Sequence, residues 1–363
     1  MQKLFNQKGG CFHVHQHSHS GKPHPSLIDK KSLPAIADSF SNIAKDQANG
    51  ILILSDDSFY SSILLPNKNN LTSPQIISSV GFPMKFAFED TGLSIDNKIY
   101  DRQSFLGASS QVSFDKIKVG IVGYGGGGSH IGQQLAHLGV KNIVIFDDDY
   151  VEDTNLNRLV GAWFTDVKKK TLKGSIAYRV IKKILPTANI QSVNKKWQEC
   201  PEMLQSCDVV FGNVDSFSER DQLEAECRRY LIPLIDIGMD VFEIEEINAY
   251  SMSGQVILSM PGCPCMRCFG FLTDDKLSKE AAKYGKVGGR PQVVWPNGVL
   301  ASTAIGVFVD LVTGWTRSNT DSVYLEYDGC AGSLNPHIRL KFADKICSHF
   351  PISQIGPPKF LNI

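Results

Sequence analysis

The segment at residues 123–129, Gly-Tyr-Gly-Gly-Gly-Gly-Ser, constrains this chain more than any other. It follows a short apolar run at 119–122 and precedes a helix-like stretch at 130–138. Glycine permits positive φ and close backbone approach, and a helix N-terminus presents unpaired N–H groups to an anion. Strand, glycine turn and helix in that order predict a phosphate site, with Gly123, Gly125, Gly126 and Gly128 as its cradle. Further strand-like runs follow at 142–146, 208–211 and 234–237. Between them, residues 173–185 place Ile176, Val180, Ile181 and Ile184 on one helical face, ended by Pro186. Alternating strands and helices predict a doubly wound, mostly parallel α/β sheet of the Rossmann type.

The next segment carries the chemistry. Asp147 ends the second strand, where a carboxylate binds ribose hydroxyls in any dinucleotide fold. Asn155 and Arg158 follow closely, and Lys173 opens the next helix. Hydride transfer to a nicotinamide needs no such cations. Nucleotidyl transfer does, because charge builds on phosphate oxygens and fixed cations must meet it. Asp215 closes a later strand at the same sheet edge, where a hard carboxylate suits Mg²⁺, and Arg220 stands near enough to support it. A NAD-dependent oxidoreductase is the rival enzyme class, and a non-catalytic binding scaffold the rival outside enzymes.

Composition narrows the partners. The 37 Lys+Arg balance 37 Asp+Glu, so bulk charge points to neither nucleic acid nor a membrane surface. Apolar runs fall short of a bilayer span, and the first residues, MQKLFNQKGG, lack a secretory signal. The expectation is a cytoplasmic protein. In that compartment nine cysteines point to metal or reactive thiols before disulfides.

From about Tyr100 onward the chain resembles the ThiF/MoeB/ubiquitin-activating adenylyltransferases. The resemblance rests on motifs in order: Asp101-Arg102-Gln103, the 123–129 loop, the DDDYVEDTNLNR segment at 147–158, Lys173, Val214-Asp215 with Arg220, and Pro296–Gly298 before an apolar helix at 299–314. It implies ATP-dependent adenylation of the C-terminal carboxylate of a ubiquitin-like or sulfur-carrier protein, releasing pyrophosphate. By the same resemblance the glycines approach the phosphates, Asp147 holds ribose, and Asn155, Arg158 and Lys173 stabilise the charged transition state. Asp215 holds Mg²⁺. Arg102 reaches the site of a second protomer, which implies a homodimer.

Family members often hold structural zinc with two CxxC pairs, and Cys265 and Cys268 match the first. Near the second stands Cys347-Ser348-His349, so Cys265, Cys268, Cys347 and His349 are the expected Zn²⁺ ligands, with Cys263 the competing fourth. The expected crossover loop at 281–292 contains no cysteine, which puts a thioester step in doubt. Cys263 and Cys330 are the spare thiols.

Five of the nine histidines lie within the first 24 residues, alternating through 13–19. On a strand, His15 and His17 share a face. His-x-His followed by Ser26-x-x-Asp29 resembles the JAB/MPN metallopeptidases, which implies zinc on His15, His17 and Asp29 with Ser26 at the oxyanion. The gap before Ser26 is one residue longer than usual. No glutamate precedes Glu89 to act as general base, so an isopeptidase and a degenerate remnant both stand. The expected division is a JAB-like domain at 1–98, read as starting part-way in, and an adenylation domain at 99–363, joined by a polar linker at 89–100.

Overall fold

The computed structural model describes residues 11–16, 23–43, 48–55, 58–65, 71–89, 97–107, 109–282, 291–317, 322–343 and 347–351. They fall into two compact units, one within 11–79 and 84–99, the other within 80–83 and 100–351.

The first unit begins with β1 (Cys11–Gln16), α1 (Leu27–Ile43), β2 (Asn49–Leu54), β3 (Phe59–Leu64) and β4 (Leu71–Thr72). These strands form a sheet in the order β1-β2-β3-β4, with β1 and β2 parallel across the α1 crossover. Alternation along Phe59–Leu64 buries every second residue, as a half-covered strand requires. Beside this sheet, β5 (Ile76–Ser79) and β6 (Lys85–Phe88) form a hairpin.

The chain then runs through a 3₁₀ helix at Asn97–Leu106, which overlaps the expected 89–100 linker only at 97–100 and carries Arg102 and Gln103 on regular structure; residues 90–96 lie outside the described residues. Gln103 fixes this helix by donating from Nε2 to Gln111 Oε1 (2.8 Å) and to the Leu138 carbonyl (3.1 Å).

The second unit continues with α2 (Ser110–Lys116), β7 (Lys118–Val122), α3 (Gly126–Leu138), β8 (Asn142–Phe146), α4 (Phe164–Lys168), α5 (Lys173–Ile184) and β9 (Asn189–Val193). It proceeds through α6 (Pro201–Gln205), β10 (Val209–Gly212), α7 (Phe217–Arg229), β11 (Leu234–Ile244) and β12 (Ala249–Ser259). It ends with α8 (Asp274–Ala282), α9 (Val294–Thr313), β13 (Val323–Asp328) and β14 (Ser333–Pro336). Its sheet has eight strands in the order β14-β13-β12-β11-β10-β7-β8-β9. The strands β9, β8, β7, β10 and β11 are parallel, and β12 to β14 are antiparallel. The expected α/β sheet is therefore present, with an antiparallel extension that local spacing did not show.

Order reverses between β7 and β10, so their carboxyl ends flank the crevice where open α/β sheets bind ligands. One face of the sheet packs Val122, Val144, Phe146, Val210 and Leu234 against Leu204 of α6 and Leu223 and Cys227 of α7. Helix α9 covers part of the sheet through Phe308, whose ring lies 5.6 Å from that of Phe211 and 6.0 Å from that of Phe114. With 20 residues and a mean hydropathy of 1.3, α9 is long and apolar enough to cross a bilayer, contrary to the expectation that no run reached that length. Here it is a core helix: Leu300, Ala301, Ala304, Phe308 and Leu311 are buried.

Candidate functional site

Helix α3 starts at Gly126, earlier than the apolar pattern from residue 130 predicted. Glycine is a poor helix former, but packing selects it here. A Cβ on Gly126 would meet Asn297 Nδ2 at 2.5 Å, and one on Gly127 would meet Ile237 Cδ1 at 2.6 Å. Gly123 adopts φ +85°, a left-handed value, and a Cβ there would meet the Asn213 carbonyl oxygen at 2.7 Å. The loop lines a cleft of about 300 Å³.

Gly123, Gly125, Gly126, Asp147, Asn155, Arg158, Lys173 and Asp215 all line that one cleft. Gly128 lies just behind, in the first turn of α3 and buried. Asp147 Oδ2 accepts the Tyr124 N–H (2.6 Å) and Oδ1 the Asp149 N–H (3.0 Å), which locks the carboxylate onto the glycine loop. Burial raises its pKa, while the charge of Lys173 and these two N–H donors pull the other way. Lys173 heads α5, its backbone N–H on the Asp149 carbonyl (3.0 Å) and its Nζ on Asp149 Oδ2 (2.6 Å).

Asn155 Oδ1 accepts the Glu152 N–H (3.0 Å), so only the NH₂ end of its amide can reach an anion. Arg158 is partly tethered, Nη1 donating to the Thr154 carbonyl and to Asn157 Oδ1 (3.1 Å). Across the cleft, Gln292 Nε2 donates to Asp215 Oδ1 (3.3 Å), while the Gln292 carbonyl accepts from Asn157 Nδ2 (3.0 Å).

Arg220, whose spacing suggested that it supports Asp215, makes its contacts elsewhere. Its guanidinium is buried and binds Asp236 Oδ1 and, at 2.7 Å, the Val214 carbonyl. It therefore holds the turn that carries Asp215. Burial pushes Asp236 up to about 6, against the pull of Arg220. Arg102 is exposed and lies outside this chain's own cleft, beside Gln103 at the C-terminal end of α3.

The cleft also takes residues that motif reading passed over. Lys195, Lys196, Trp197 and Gln198 follow β9, and Met239 lies on β11, while Asn297, from the Pro296–Gly298 motif, joins them from the first turn of α9. The signal for the first group was present: a basic pair directly after a parallel strand falls on the ligand-binding edge.

A second constellation forms in the same unit. One ligand atom each from Cys265, Cys268, Cys347 and His349 lies within 4.8 Å of the others, the one such group among the described residues. Cys265 Sγ is 3.5 Å from Cys268 Sγ, and His349 Nδ1 is 3.5 Å and 3.4 Å from the two sulfurs. Tetrahedral zinc–sulfur bonds would separate two sulfurs by about 3.8 Å, so the donor set fits the ion in type and spacing. Burial raises the Cys265 thiol well above its ordinary pKa, a cost that metal binding would remove. Cys263 is not part of the group. Cys330 is exposed and does not line the cleft.

In the first unit, Ser26 and Asp29 bind each other at the start of α1: Asp29 Oδ2 accepts the Ser26 N–H (2.7 Å), and Ser26 Oγ accepts the Asp29 N–H (3.1 Å). This is a reciprocal helix cap. His15 lies on β1, whereas its side chain and all of His17 fall outside the described residues, as do residues 283–290 of the crossover segment.

Residues 100–348 match the profile of the ThiF family. The chain belongs to the ThiF family. Among curated relatives, it is 31% identical over 184 residues to the SAMP-activating enzyme E1 of Haloferax volcanii, covering 48% of this chain and 64% of that one. It is 33% identical over 141 residues to the molybdopterin-synthase adenylyltransferase of Haemophilus influenzae, covering 38% and 57%. The aligned stretches thus span less than two thirds of either relative. The fold matches Escherichia coli MccB, solved with AMPCPP and MccA, at a TM-score of 0.56 and 17% identity over 72% of this chain and 75% of that one. PaaA has the same fold, at a TM-score of 0.55 and 17% identity over 69% and 85%. The ThiF match begins at Tyr100, so the first unit lies outside it.

Proposed function

We propose that this ThiF-family chain catalyses ATP-dependent adenylation of the C-terminal carboxylate of a ubiquitin-like or sulfur-carrier protein. The carrying observation is convergence. Asp147, Asn155, Arg158, Lys173 and Asp215 come from separate stretches of sequence yet line one cleft over a glycine loop at a sheet switch point. The names of the Haloferax and Haemophilus relatives, an activating enzyme and an adenylyltransferase, support the same reaction.

In this reading a carboxylate oxygen attacks the α-phosphorus of ATP. The bond from phosphorus to the bridging oxygen of pyrophosphate breaks, and pyrophosphate leaves with the electron pair. The glycine-loop amides, Lys173 and Arg158 stabilise charge on the phosphate oxygens, Asn155 NH₂ donates to them, and Asp147 orients the ribose. A single carboxylate with substrate phosphates is an ordinary Mg²⁺ site, so Asp215 would hold that ion, which would supply charge neutralisation on the departing pyrophosphate. Cys265, Cys268, Cys347 and His349 would hold structural Zn²⁺. Arg102, remote from its own cleft, serves a partner protomer in a homodimer.

The first unit is read as a JAB/MPN-like domain, either an isopeptidase or a degenerate remnant. A parallel strand–helix–strand arrangement with histidines on the strand and Ser26/Asp29 opening the helix supports it. The reciprocal capping of Ser26 and Asp29 favours the remnant, since both side chains have a structural task.

ATP–pyrophosphate exchange with purified ubiquitin-like proteins tests the main reading. Exchange that requires both Mg²⁺ and an intact carrier C-terminus is expected. ATP binding without exchange for any carrier would point to the scaffold instead.

A further inference from the structure

Helix α7 buries three charged side chains on one face. Arg220, Glu224 and Arg228 are spaced four residues apart and are 6%, 0% and 5% exposed. Charges taken out of water are tolerated only when each is paired and hydrogen-bonded. Arg220 meets Asp236 and the turn before Asp215. The other two serve a different place.

Glu224 Oε1 accepts the Met266 N–H (2.8 Å) and the Ser259 hydroxyl. Arg228 Nε donates to Ser259 Oγ (2.8 Å), and its Nη2 donates to the carbonyls of Cys263 (3.0 Å) and Pro264 (2.9 Å). Backbone groups on both sides of Cys265 are therefore fixed by this pair. The Arg228 guanidinium also lies 5.2 Å from the centre of the Phe350 ring, and Phe350 follows His349. Both arms of the Cys/His group thus rest on one arginine.

We propose that Glu224 and Arg228 are positioning residues for the Cys265/Cys268/Cys347/His349 metal site. They hold the 263–266 backbone in the ligating conformation whether or not the ion is bound. Ser259 bridges them and shares the task. The proposal rests on the Zn²⁺ reading above and adds to it that the site is preorganised from α7. Residues behind a metal's ligands commonly change affinity by about 10–100-fold when removed.

The test measures zinc release from purified full-length protein into excess EDTA, read with a colorimetric zinc dye. Glu224→Gln and Arg228→Met are expected to release zinc at least about tenfold faster than wild type. Ser259→Ala keeps both charges, should fold where the others do not, and is expected to give a smaller acceleration. Thermal unfolding with and without EDTA separates positioning from bulk stability. A positioning role predicts that the variants narrow the gap between the two curves. Folded variants that release zinc at the wild-type rate, or that lower both curves equally, would overturn the proposal. Wild-type protein that takes up neither zinc nor cobalt would overturn the Zn²⁺ reading, and this proposal with it.

Discussion

Lys173 Nζ lies 2.6 Å from Asp149 Oδ2 and 3.9 Å from Asp147 Oδ1. Its nearer partner is the solvent-facing one: the Asp149 side chain is 66% exposed, that of Asp147 only 6%. Only the Asp149 end of the pair is solvated, so Asp149 can return to water when an incoming phosphate takes Lys173 from it. Lys173→Ala is therefore expected to lower ATP–pyrophosphate exchange by about 10²–10³. Asp149→Asn should stay within about tenfold of wild type, because it removes only the exchangeable partner. Equal losses in the two variants would show that Asp149 itself acts on the nucleotide.

The glycine loop makes a second, more local prediction. A methyl group on Gly126 meets the Asn297 amide, which is itself held by the Val293 carbonyl (2.9 Å). Gly126→Ala is expected to weaken ATP binding, measured by calorimetry, and Asn297→Ala combined with it to recover part of the loss. Gly123→Ala carries a different penalty. Its φ of +85° disfavours any side chain, and it should lower the unfolding free energy by about 1–3 kcal/mol in urea titrations.

How much of this was readable beforehand depends on the range of the interaction. The 123–129 loop, Asp147, Lys173 and the Cys265-x-x-Cys268 pair are local patterns, and each lies where its spacing placed it. Arg220 does not. Sequence proximity suggested Asp215, but the side chain finds Asp236 on the neighbouring strand, a contact that only the β10–β11 pairing creates. The start of α3 was hidden for a related reason. Glycines at 126–128 contradict helix propensity, and Asn297 and Ile237, the neighbours that favour small residues there, are remote in sequence. The antiparallel edge from β12 to β14 was likewise invisible, because register across strands leaves no mark at short spacing.

Asp236 gives the chain a pH signature. An unfolded aspartate titrates near 3.9, and burial holds Asp236 up to about 6. A raised carboxyl pKa means that the fold binds the extra proton. Its stabilising share is complete below about pH 4 and is lost as the pH climbs through about 6. Over that window urea midpoints should fall, Asp236 contributing at most about 1.4 kcal/mol per pH unit. Asp236→Asn should remove its share of that slope and lower stability above about pH 6, where Arg220 loses its buried ionic partner, while changing little below about pH 4, where Asp236 is already protonated. An unchanged slope in the variant would assign the pH dependence to other groups.

The metal prediction separates two cysteines that lie close together in sequence. Cys265 belongs to the group of four, and its sulfur approaches both Cys268 and His349, whereas Cys263 stands outside that group and gives its backbone carbonyl to Arg228. Elemental analysis of purified protein is expected to find about one zinc per chain, as a closed four-ligand site holds. Cys265→Ser should lose most of it, because a serine hydroxyl replaces a thiolate ligand, and Cys263→Ser should keep it. His349→Ala should bind zinc more weakly and open a position to solvent, which cobalt substitution would register as a shift toward higher coordination. Retention of full zinc by Cys265→Ser with loss in Cys263→Ser would move the fourth ligand to Cys263 and displace the group described here.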